Sequence, residues 1–170
     1  DSTNATISLR LAEDLLMTGQ KSTSLPYFER VLDQMEQLGQ VRLNIMHRVG
    51  YAYWVNGNKE KAEYCMDLKK SYCEESIRLQ RLNYQTRYAF YDLAAIYAFR
   101  GDRENALTNL QAFNERETMP LWMVSLIKND PLFDNIRDEP EFRQIVREVE
   151  AKYRAEHERV REWLEENGMM

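Results

Sequence analysis

Apolar residues recur along this chain at three- and four-residue intervals, and strict alternation is scarce. Ile7, Leu11 and Leu15 form one series, widened by Leu9, Ala12 and Leu16. Val31, Met35 and Leu38 form a second, Val49, Ala52 and Tyr53 a third, and Leu93, Ala94 and Tyr97 a fourth. Such spacing stacks side chains on one face of an α-helix, so the pattern predicts an all-α fold. Gly19, Gly57 and Gly101 each follow an apolar series and precede a polar restart, as helix-ending glycines do. Ser24 is placed to cap the second helix, with Pro26 in its first turn, where a missing N–H does no harm.

The glycines stand 38 and 44 residues apart, which suggests a repeat. Aligned on them, one unit reads Val49-Gly50-x2-Tyr53-x3-Gly57 and then Ala62-x3-Met66. The next reads Phe90-x2-Leu93-Ala94-x2-Tyr97-x3-Gly101, then Ala106-x3-Leu110, with Pro120 beyond. A looser first unit reads Leu11-Ala12-x2-Leu15-x3-Gly19, then Ser24-x3-Phe28. This pattern resembles the tetratricopeptide repeat (TPR) family over residues 5–120. The resemblance implies a right-handed superhelix of antiparallel helix pairs, with units at about 5–38, 43–76 and 87–120 inside a repeat region of 1–128. Gly50 and Ala94 fall in mid-helix, where glycine costs about 1 kcal/mol against alanine. A second helix passing close by, offering the small Ala62, would offset that cost. Ala106 would play the same part opposite Ala94, and Tyr53 and Tyr97 would fill the space between units.

After Pro120 the pattern changes. Leu121–Ile127 reads as a short, heavily apolar helix, and an acid-Pro-x-Phe theme follows twice, at Asp130-Pro131-Leu132-Phe133 and Glu139-Pro140-Glu141-Phe142. In each, the acid can cap or flank a helix start with proline in the first turn. The segment resembles the closing element found after TPR arrays in bacterial regulatory and signalling proteins, which implies a capping role for 129–170 within the same domain. One long helix is expected from Pro140 to Glu166. Phe142, Ile145, Val146 and Val149 give it a firm apolar stripe, and Glu148–Lys152 and Glu150–Arg154 are spaced as i,i+4 ion pairs. Tyr153, Val160, Trp163 and Leu164 continue the stripe thinly and form a candidate seam for a second copy.

Composition narrows the function. In 170 residues, 23 basic and 28 acidic side chains leave a net charge of −5. That balance argues against a nucleic-acid face and against a polybasic membrane anchor. The longest apolar run, Leu93–Phe99, is far short of the ~20 residues of a membrane span. Cys65 and Cys73, eight apart on one expected helix, lie roughly 12 Å from each other and cannot bridge. Free thiols suit a reducing, cytoplasmic compartment. The chain opens on Asp1 and not on Met, as expected of a piece of a longer protein. His47 and His157 have no second ligand at metal spacing, and no phosphate loop, nucleophile elbow or zinc-protease motif occurs. No metal, cofactor or enzymatic chemistry is therefore expected.

What remains is a groove. The TPR resemblance implies a concave surface lined by the first helix of each pair. Asn44, His47, Tyr51 and Trp54 would face it from the second unit, and Tyr88, Tyr91, Ala95 and Phe99 from the third, with Leu9, Glu13 and Leu16 from the first. Aromatics on such a surface give large contact area with few rotors to freeze. The competing expectation packs the same aromatics into the core or beneath the C-terminal helix. His47 and Tyr51 stand where chaperone-binding TPR clamps carry lysine and asparagine, so chaperone tails are not the expected ligand. The expected function is a protein–protein interaction module taking a peptide or partner protein, as part of a larger bacterial regulatory or signalling protein. Self-association, through the helix seam or an apolar patch near Trp122, and small-molecule sensing are the alternatives.

Overall fold

The computed structural model describes residues 4–82, 88–115 and 119–169, and among them every regular element is helical. The α-helices are α1 (Ala5–Met17), α2 (Lys21–Gln37), α3 (Met46–Val55), α4 (Lys59–Arg78), α5 (Tyr88–Phe99), α6 (Arg103–Asn114), α7 (Leu121–Asn129) and α8 (Pro140–Glu166). Single 3-10 turns at Leu43–Ile45 and Pro131–Phe133 precede α3 and follow α7.

One turn design ends α1, α3 and α5. The N–H groups of Gln20, Asn58 and Asp102 donate to the carbonyls of Leu15, Tyr53 and Tyr97, five residues back, at 2.8, 3.0 and 2.9 Å. Gly19, Gly57 and Gly101 supply the positive φ this closure needs, at 83°, 85° and 79°. The next residue then caps the following helix in two of the three cases. The Asn58 side chain accepts from the Lys61 N–H and that of Asp102 from the Asn105 N–H, each at 3.2 Å.

So short a turn folds each helix back on its predecessor: α1 packs on α2, α3 on α4 and α5 on α6, and α2–α3 and α4–α5 contacts join one pair to the next. The approach of α3 to α4 is close enough to require glycine. A Cβ on Gly50 would sit 2.9 Å from the Ala62 carbonyl oxygen and 3.3 Å from Cys65 Cβ. Ala62, Ala94 and Ala106 are all fully buried. Tyr53 is buried too, and its hydroxyl donates to Glu29 of α2 at 3.2 Å.

The closing segment adds a second layer of contacts. The turn Pro131–Phe133 packs on α5, and α8 lies on α6 and α7. Asp130 caps that turn by accepting from the Leu132 N–H at 3.1 Å, whereas Glu139 flanks α8 with no side-chain cap bond. Arg137 reaches back to donate to the carbonyls of Lys128 and, at 2.7 Å, Asp130. Phe142, Ile145 and Val149 of α8 join the main core, and no residue of α8 beyond Val149 is buried.

One local expectation is corrected. Ser24 does not cap α2: the helix starts three residues earlier, at Lys21, so Pro26 lies inside it. The first turn is held instead by hydroxyls donating backwards, Thr23 to the Gln20 carbonyl at 2.8 Å and Ser24 to the Lys21 carbonyl at 2.6 Å. Glu148 and Lys152 both reach Asn114 at the end of α6, where Glu148 accepts the amide N–H at 2.6 Å and Lys152 donates to the backbone and side-chain oxygens. A helix end with orphan carbonyls competes well for a lysine. The Glu150–Arg154 pair is present, at 3.3 Å. Among the described residues no helix is long and apolar enough to cross a membrane.

Candidate functional site

A cleft of about 590 Å³ opens on the face formed by α1, α3 and α5. Arg10 and Glu13 of α1 line one side, Asn44 of the 3-10 turn with His47 and Arg48 of α3 the next, and Tyr88, Tyr91 and Asp92 of α5 the third. Trp122, Met123 and Leu126 of α7 complete the wall. The first helix of each pair thus contributes.

The floor is a buried charge network. Asp92 is the one charged residue of α5, and its Oδ2 lies 2.6 Å from the Lys69 ammonium of α4. Lys69 is fully buried in a stripe of Cys65, Met66 and Cys73, so its charge depends on this partner. Burial works against that charge, but Asp92 outweighs it and raises the lysine above its ordinary value. Arg48 pairs with Glu13 across α1 and α3 at 2.8 Å and stands 4.0 Å from Asp130. Asp130 is wholly buried and accepts the Tyr91 hydroxyl at 3.1 Å. Burial raises its carboxyl against the pull of Arg48, and burial together with Asp130 raises the Tyr91 phenol well above its usual value.

His47 stands at the centre, 3.4 Å from Asp92 Oδ1, yet neither ring nitrogen makes a hydrogen bond. Burial, and after it the neighbouring Lys69 and Arg48 charges, hold its pKa well below the ordinary value, so the imidazole is neutral. Arg48 Nε is likewise buried without a hydrogen-bond partner. At the mouth the picture reverses. Tyr88 and Trp122 are 40% and 50% exposed, with ring centroids 5.7 Å apart and planes tilted by 48°.

Most of the residues expected to form the groove fall into two groups, while Leu9, Leu16 and Ala95 are buried in the core instead. Asn44, His47, Tyr88 and Tyr91 come together in the cleft, and Glu13 joins them. Tyr91 offers it almost no surface, because its ring is wedged between Phe113 and Phe133, each 5.3 Å away. The element over Tyr91 is therefore the Pro131–Phe133 turn, and not the long C-terminal helix. Tyr51, Trp54 and Phe99 form a separate cluster outside the cleft. Phe99 meets Tyr51 edge-on at 5.7 Å and Trp54 at 5.2 Å. Lys21 lies over the Tyr51 ring and Lys59 over Trp54, while Asn135 donates to the Phe99 carbonyl at 3.0 Å.

Sequence reasoning missed Arg10, Arg48, Lys69, Asp92, Asp130 and Trp122 as site residues. A signal existed for two of them. Lys69 interrupts an apolar stripe at helical spacing, and Asp92 interrupts an otherwise uncharged helix. Among the described residues no group of three or more His, Cys, Asp or Glu side chains could hold a metal ion. No family model, curated protein or solved structure matches the chain.

Proposed function

We propose that this chain is a TPR-like, non-enzymatic interaction module whose cleft between α1, α3, α5 and α7 receives a partner polypeptide. The observation that carries the reading is the Tyr88–Trp122 pair, half exposed at the mouth of a cleft walled by the first helices of successive pairs. Aromatic anchors at the rim of a concave site are what partner recognition favours. The repeat reading is supported by the glycine turn recurring after α1, α3 and α5 and by the Gly50–Ala62 approach. The place of the module within a larger bacterial regulatory or signalling protein rests on the resemblance of 130–142 to a TPR closing element.

A photocrosslinking residue in place of Tyr88 tests it. The expected result is one discrete adduct in extract of the producing cell. The purified partner should then bind Trp122→Ala roughly ten-fold or more weakly and Trp163→Ala normally. Equal affinity for Trp122→Ala, Tyr88→Ala and wild type would end the proposal.

Self-association is the second reading, favoured by the outer half of α8. Past the last buried residue, Val160 and Trp163 remain 41% and 51% exposed on a helix covered by intrahelical ion pairs such as Glu156–Arg159. Light scattering should then show a dimer that disappears on truncation after Ala151.

A further inference from the structure

We infer that the cleft takes a carboxylate carried beside a planar apolar group. This rests on the cleft being a binding site and adds the chemistry of what enters it. The carboxylates of the floor are already matched. Glu13 gives one oxygen to Arg48 and the other to Arg10, at 2.8 and 3.1 Å. Asp92 holds Lys69 through Oδ2 at 2.6 Å and has Oδ1 beside His47 Nε2 at 3.4 Å, and Asp130 accepts from the Tyr91 hydroxyl and the Leu132 N–H.

What is left over is on the donor side. Arg48 Nε–H and the single N–H of the neutral His47 ring are buried and make no hydrogen bond, and both side chains line the cleft. Arg10 adds a guanidinium that is 76% exposed at the entrance. A buried donor without an acceptor is a standing cost that an acceptor-rich ligand removes. A carboxylate brings two oxygens with about four acceptor sites and fits a guanidinium fork. A cationic ligand would meet Arg10 and Arg48 at the wall, where Glu13 is already matched by both. The second half of the ligand is set by the mouth, where Tyr88 and Trp122 offer two ring faces beside Met123 and Leu126.

The test compares two probes that differ only in charge, N-acetylphenylalanine and N-acetylphenylalanine amide, titrated into the 170-residue chain at pH 7. The readout is the Trp122 indole N–H resonance, assigned through Trp122→Phe. The acid is expected to bind roughly five-fold or more tightly than the amide, and Arg48→Gln to erase most of that preference. Because Arg48→Gln strips Glu13 and Asp130 of a cation and can cost the fold, Arg10→Gln is the second variant. It is expected to reduce the preference while leaving the thermal melt in place. Equal binding of acid and amide, or binding of neither up to the solubility limit, overturns the inference.

A third probe, the capped peptide Ac-Ala-Phe-Glu-Ala-NH2, separates the sources of the carboxylate. Tighter binding of the peptide than of the free acid supports a partner's acidic side chain. Binding of the free acid alone keeps the carboxylate chemistry and removes the partner reading. Capture of a partner at Tyr88 without any preference for acid over amide does the opposite.

Discussion

The Lys69 ammonium on α4 sits 2.6 Å from Oδ2 of Asp92 on α5, and the two side chains are only 2% and 11% exposed. This pair joins the second helical pair to the third, through the interior and under the cleft. Two charges withdrawn from water hold each other, so removing one strands the other. Lys69→Met and Asp92→Leu are each expected to cost about 3–5 kcal/mol. The double variant Lys69→Met/Asp92→Leu should recover a large part of that loss. Urea unfolding of the four proteins gives the coupling directly, and additive losses would show that the two charges act independently.

His47 makes stability depend on pH. Its folded pKa lies well below 6.5, held there by burial, Lys69 and Arg48, while the unfolded chain protonates near the ordinary value. Above that value both forms are neutral and nothing is lost. As pH falls below it, the unfolded state takes up the proton first, and stability drops until the folded pKa is reached. Between pH 7.5 and 5.5 the wild type should lose about 1 kcal/mol more than His47→Gln. Asp130 has the opposite sign: its folded pKa is raised, so its contribution is present below the ordinary carboxylate value and lost as pH rises through the folded one, and it cancels in the comparison because both proteins carry it. Parallel pH profiles for wild type and His47→Gln would place the imidazole in solvent.

Gly50 is expected to refuse a side chain. Alanine would gain about 1 kcal/mol of helix propensity. Its Cβ, however, would stand 2.9 Å from a backbone oxygen that no rotamer change can move. Gly50→Ala should therefore be destabilised by about 1–3 kcal/mol, and Gly50→Leu by more. Thermal and urea melts decide the matter, and a Gly50→Ala protein as stable as wild type would mean that α3 and α4 separate freely.

Both thiols should be silent in the native state. Cys73 is fully buried and Cys65 nearly so, and burial pushes their pKa values up to about 12 and about 11. At pH 7.5 neither offers thiolate to an aromatic disulfide reagent. Labelling is expected to follow global unfolding and to release two equivalents in urea. A fast native phase would reveal opening of the inner face of α4.

Local spacing in the chain specified most of the helices and most of their ends. Spacing of three and four reports on one residue's immediate neighbours, so α3, α5 and the full span of α8 could be read from it. Glycine turns and the Asp130 cap are also local, and Gly50 announced a close approach because a mid-helix glycine is otherwise a loss. The start of α2 escaped, since backward hydroxyl bonds at Thr23 and Ser24 compete with capping and leave no distinctive spacing. Which charges meet and which aromatics stay open follows from how the helices pack. Lys69 and Asp92 each stood out as charges among apolar neighbours, but nothing local says that they belong together. Tyr91 and Tyr88 lie three positions apart on one helix; the first is sealed by Phe133 and the second left open beside Trp122, because partners from distant segments arrive on one side and not on the other. Helix periodicity is a property of a few consecutive residues, whereas burial and pairing belong to the packing of whole helices.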